Sequence, residues 1–167
     1  MSGYLDIPCI TWGSMGHLVV DRQLRHAMKM KYVSIGKTQA KHMLFTLRDV
    51  FTADLFTALA TAWVPIPWSG HVATLVALQL EKLIALRAAA TEPTLLKNGL
   101  WLTIADLEGS VAMAYRLGDQ RWTPDAGVSS DGDDLPITTN VSLSVIVERL
   151  VNFARVHAEV DVAEPAE

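Results

Sequence analysis

Apolar and polar residues assign most of the elements of this chain before any chemistry is considered. From Ala27 to Ile35 the sequence alternates, with Met28, Met30 and Tyr32 on one side and Lys29 and Lys31 on the other. A period of two predicts a half-buried strand. Residues 4–20 carry Pro8, Gly13 and Gly16 among apolar residues, which predicts short extended pieces around a glycine-rich turn. After the strand, Gly36-Lys37-Thr38 opens a predicted helix in which Ala40, Met43, Leu44 and Leu47 recur at three and four. Thr52 is the expected cap of a second helix, with Asp54 in its first turn and Leu55, Phe56, Leu59 and Trp63 on its apolar face. Val64-Pro65-Ile66-Pro67 ends it.

Ser69 is the expected cap of a long helix to about Ala90, whose apolar residues cover most of its circumference, so a central position is expected. Glu92-Pro93 stops it. Between Leu100 and Leu117 two readings compete: a β-hairpin around Glu108-Gly109-Ser110, which the alternation favours, and one helix from Ile104 to Arg116 with Gly109 as its cost. Residues 118–136 are rich in Gly, Pro and Asp and predict a long loop. After Asn140-Val141-Ser142, Leu143, Ile146, Leu150, Phe153 and His157 recur at three and four, predicting an amphipathic helix to about Ala158. Strands on either side of a helical centre predict an α+β fold, a small mostly antiparallel sheet covered by about four helices. Residues 1–158 are expected to form a single domain, and 159–167 a flexible acidic tail.

Composition adds a reason to look for partners. Half of the 167 residues are hydrophobic and 19% are charged, against about 25% charged in ordinary soluble domains. No Asp, Glu, Lys or Arg occurs between Asp54 and Glu81. A spanning helix needs about 20 apolar residues. Pro65 and Pro67 divide this run, so two shorter buried helices are expected and an integral membrane span is not. Cys9, the single cysteine, allows no internal disulfide and fits a reducing compartment. The first residues carry no basic segment followed by an apolar run, so no signal peptide is read and a cytoplasmic location is expected.

Charge is uneven. Residues 1–50 carry seven Lys/Arg against three acids, and residues 51–167 seven against fifteen, for a net charge of −4. Lys37, Lys41, Phe45 and Arg48 fall on one face of the predicted helix, and Lys29 and Lys31 on one face of the preceding strand. Together they form a candidate contact for a polyanion or a protein partner. The second candidate surface is the helical stripe Leu143, Ile146, Leu150, Phe153 and His157.

Motifs for catalysis or cofactors fail on particular residues. Ile35-Gly36-Lys37-Thr38 resembles the end of a phosphate-binding loop, but Lys31 stands where its first glycine belongs. Trp12-Gly13-Ser14-Met15-Gly16 has Trp12 where a nucleophile elbow needs glycine. His17, His26, His42, His71 and His157 have no metal-ligand spacing. Asp131-Gly132-Asp133-Asp134 lacks the EF-hand pattern and reads as a solvated turn. No catalytic residue, metal ligand, cofactor or small-molecule substrate is assigned. The expected function is a non-enzymatic structural or interaction subunit of a larger assembly, homo- or hetero-oligomeric, with other protein subunits as partners. A nucleic-acid-associated accessory protein using the 29–48 patch is the alternative. An enzyme with a dispersed active site, around Trp122 and Asp125, Asp131 or Asp134, is a second.

Overall fold

Thr46 starts a helix that is buried along much of its length. Its side chain accepts the Asp49 amide at 3.0 Å, and the Asp49 carboxylate accepts the Thr46 amide at 2.9 Å. This reciprocal capping box satisfies two amide donors at the start of the helix. In the computed structural model, residues 3–39, 41–89, 100–107, 112–118 and 138–157 are described. After a 3-10 turn at Gly3–Asp6 come β1 (Ile10–Thr11), α1 (Trp12–Met15), α2 (Asp21–Lys29), β2 (Lys37–Gln39) and β3 (His42–Phe45). Then follow α3 (Leu47–Thr61), α4 (Ile66–Ala77), α5 (Leu80–Ala89), β4 (Trp101–Leu107), β5 (Ala112–Gly118), β6 (Thr138–Ser142) and α6 (Leu143–His157). This is an α+β fold with small antiparallel sheets, as expected. The strands form two separate sheets of three, and six α-helices lie among the described residues. The contacts divide the chain into two units, Met1–Thr91 with Val145–Glu167, and Glu92–Ser144.

In the first unit, every residue of α3 from Val50 to Phe56 is buried, which marks this helix as central. The expected centre, one helix over 69–90, is instead interrupted at Leu78 and Gln79. Ser69 is not a cap: α4 begins three residues earlier, with Pro67 in its first turn where no amide donor is lost. The Ser69 hydroxyl donates to the Val64 carbonyl at 3.0 Å. Thr52 is not a cap either. It lies inside α3 and donates to the Arg48 carbonyl at 2.8 Å, which leaves Asp54 mid-helix.

Two further expectations are corrected. Residues 27–35 are not a strand. They comprise the end of α2 and the reversal after it, and Leu24 and Ala27 form the helix's buried side. Asp21 in the first turn and Lys29 in the last complement the helix dipole. Lys37–Gln39 and His42–Phe45 are strands rather than the expected helix, and Leu47 begins the next one. β2 and β3 pair antiparallel with Lys37 opposite Leu44 and Gln39 opposite His42, and β1 pairs with the other edge of β3, Ile10 opposite Phe45. Gly36 enters the hairpin at φ 78°, and a Cβ there would lie 2.8 Å from the Phe45 ring, so the position requires glycine.

Arg48 ties distant segments of this unit. Its guanidinium donates to Asp6 at 2.8 Å, to the Ala77 carbonyl at 2.6 Å and to Glu81. From α6, Ile146, Val147, Leu150, Val151, Phe153 and Ala154 are buried, as the spacing predicts. Arg87 pairs with Glu148 at 2.7 Å and Arg149 with Asp54 at 3.0 Å.

The second unit holds the sheet β5-β4-β6. The expected hairpin is present, with Ile104 opposite Tyr115, and β6 is an additional strand with Thr103 opposite Asn140. Leu102, Thr103 and Ile104 are all buried. The Thr103 hydroxyl meets its need by donating to Asn140 at 2.6 Å. Residues 119–137, with Trp122 and the aspartate cluster, and the acidic tail lie outside the described residues.

Candidate functional site

The residues expected to form a basic face come from different elements. Lys29 ends α2, Lys31 follows it, Lys37 lies in β2, Lys41 sits between β2 and β3, and all four are exposed. Phe45 is fully buried, its ring 5.4 Å from that of Trp12, and so presents no aromatic surface to a partner. Arg48 is engaged with Asp6 and Glu81, which lowers both carboxyls below their usual range. The second expected surface is also occupied: Leu143, Ile146, Leu150 and Phe153 are buried within the chain. Only His157 of that stripe is exposed, its ring 4.5 Å from Phe153 and 5.9 Å from His17.

Close to that aromatic group lies a buried carboxylate. Asp54 is 3% exposed, and its desolvation pushes the carboxyl up to about 6 against the opposing charges of Arg149 and His17. Among the described residues, no three His, Cys, Asp or Glu side chains converge as metal ligands. Lys37 and Thr38 lie in β2 rather than at a helix start, so no helix N-terminus faces a phosphate behind Gly36. Ser14 lies in α1, its hydroxyl 3.1 Å from that of Thr11. Among the described residues, no helix is long and apolar enough to cross a membrane.

Two residues, one of them from the expected basic face, share a backbone geometry that the sequence does not announce. At the end of α2, the Lys31 amide donates to the Met28 carbonyl at 3.1 Å and the Tyr32 amide to Ala27 at 2.9 Å. At the end of α3, the Trp63 amide donates to Ala60 at 3.3 Å and the Val64 amide to Leu59 at 3.1 Å. Both are Schellman closures, in which the residue just past the helix adopts a left-handed conformation that favours glycine. Here those residues are Lys31, at φ 60°, and Trp63, at φ 67°. A side chain there costs on the order of 1 kcal/mol relative to glycine. Leu59 and Val64 hold the two positions whose apolar contact commonly accompanies such a closure, both are buried, and Pro65 follows. Trp63 itself is 93% exposed. Val64-Pro65 in the sequence marks where α3 stops, but nothing in it marks Trp63 as left-handed.

No protein-family model, curated protein or solved structure matches this chain.

Proposed function

We propose that this chain is a non-enzymatic interaction subunit of a larger protein assembly, and that it docks a protein partner at the α3–α4 corner through Trp63. The observation that carries this reading is a tryptophan almost wholly in water on a backbone that favours glycine. Single exposed apolar residues are common on monomers. Trp63 differs because its exposure and its backbone conformation are both unfavourable in the isolated chain. An indole held on a rigid closure loses little entropy when a partner covers it, and tryptophan is enriched at the energetic centres of interfaces. Pro65, exposed beside it, stiffens the same turn. Cys9 is exposed and is the single cysteine, which agrees with a reducing compartment, so we place the assembly in the cytoplasm.

The deciding experiment compares the full chain with its Trp63→Gly variant, by light scattering and by the partner each retains from its source. Glycine suits the left-handed position, so the variant is expected to gain about 1 kcal/mol in urea unfolding while losing the complex. A wild-type chain that is monomeric and retains nothing rejects the proposal, and so does a variant that keeps the complex intact.

A further inference from the structure

Lys31 occupies the other strained closure, and beside it lies a cavity of about 380 Å³, open to solvent and lined by Tyr32, which is half-buried, and by the exposed residues Lys31, Ser34, Pro67, His71 and Thr74. We infer that this cavity binds a small organic phosphate.

The cavity is built by close packing. A Cβ on Gly70 would lie 2.3 Å from the Tyr32 carbonyl oxygen, so α4 sits directly against the segment after α2, and only glycine permits that approach. The contact fixes His71 and Thr74, on α4, beside Tyr32 and Ser34. The Schellman bonds fix the Lys31 backbone at the start of that segment.

The lining selects the chemistry. It contains one permanent cation, three hydroxyls and an imidazole, and no carboxylate. The Thr74 hydroxyl is already committed, donating to the Gly70 carbonyl at 2.9 Å. Among the described residues, the side chains of Lys31, Tyr32, Ser34 and His71 make no hydrogen bond or ion pair. Several uncommitted donors and one ammonium in the same lining, with no acid to repel an anion, match a phosphoryl group, whose oxygens accept from many directions. A cavity of this volume falls in the range of small-molecule clefts, roughly 300–1,000 Å³. The Pro67 ring and the Tyr32 phenol offer apolar walls to the organic part of the ligand. The Lys31 backbone supports the assignment: glycine would relax the closure but remove the ammonium.

This site is independent of Trp63 and stands if association through Trp63 fails. The test is an amide NMR titration of the full chain with phenyl phosphate. Inorganic phosphate, benzyl alcohol and a short single-stranded oligonucleotide serve as comparisons. Saturable shifts at Lys31–Ser34 and around His71 are expected, with a Kd on the order of 1 mM or tighter. Inorganic phosphate should shift the same residues more weakly. Lys31→Gly should weaken phenyl phosphate at least about tenfold with no fall in Tm, and His71→Ala should weaken it too. The inference is overturned if no saturable shift occurs, if benzyl alcohol binds as well, if only the oligonucleotide binds, or if Lys31→Gly leaves the affinity unchanged.

Discussion

Asp54 holds its proton more tightly in the folded chain than in the unfolded one, because burial in α3 disfavours the charged form. Its contribution to stability is therefore fully present below its ordinary value of 3.8 and is lost as pH rises through about 6. That gap corresponds to roughly 3 kcal/mol, spent at neutral pH on keeping a carboxylate desolvated. Asp6, Glu81 and Glu148 have lowered values and act in the opposite sense, weakening the fold on acidification. Comparison with Asp54→Asn cancels those three. Urea unfolding should show the variant and wild type alike near pH 4, with the variant gaining by up to roughly 3 kcal/mol toward pH 7. Parallel pH courses for the two proteins would contradict it. Arg149 should tolerate the loss, because its side chain is 45% exposed and can turn to water.

At the scale of elements, two contacts decide how the first unit is assembled. Gly70→Ala places a methyl group against the Tyr32 backbone, which cannot yield as a side chain would. The expected loss is about 1–3 kcal/mol in a thermal melt, whereas Gly13→Ala, whose Cβ meets nothing closer than 3.9 Å, should be near neutral. Arg48→Met removes the donor to Ala77 and the links to Asp6 and Glu81. Both carboxylates are well exposed and rehydrate, so the loss should be about 1–2 kcal/mol in urea unfolding. Arg48→Lys should recover little of it, because one ammonium cannot copy the guanidinium fork.

The same elements explain how far the sequence was legible. The helix from Leu143 was readable because it shows one clear periodicity, and the hairpin at 101–118 because its alternation outweighed the competing helical reading, which Gly109 penalised. The turn at Pro65 was readable because proline removes a donor. Residues 27–35 misled because the alternation of Met and Lys straddles the end of α2. Residues 37–47 misled because β2 and β3 are strands of three and four residues, too short to show a period. The capping box at Thr46 was missed because aspartate takes the position where glutamate or glutamine is usual. Of the candidate sites, only Lys31 was legible, and for a different reason. Neither left-handed closure shows in the sequence, since the glycine that marks such ends is absent from both.

For the whole molecule, the division into units changes the meaning of the charge asymmetry. The unit of Met1–Thr91 and Val145–Glu167 carries eleven Lys/Arg against ten acids, a net of +1. Glu92–Ser144 carries three against eight, a net of −5. The basic front half is thus offset within its own unit, and what remains is a nearly neutral unit and an acidic one. A polyanion gains little from such a balance, and a contact centred on Trp63, in the neutral unit, should draw on apolar burial instead. The two origins respond oppositely to salt. Raising ionic strength from about 0.1 M to about 1 M shortens the screening length from about 10 Å to about 3 Å and removes steering between exposed charges. Apolar contact survives the change or strengthens when the added salt is a sulfate. The mass of the complex in light scattering should therefore hold across this range, and persist in ammonium sulfate. Dissociation at high salt would move the contact from Trp63 to the charged surfaces, and would predict instead that charge reversal at Lys37 and Lys41 breaks it.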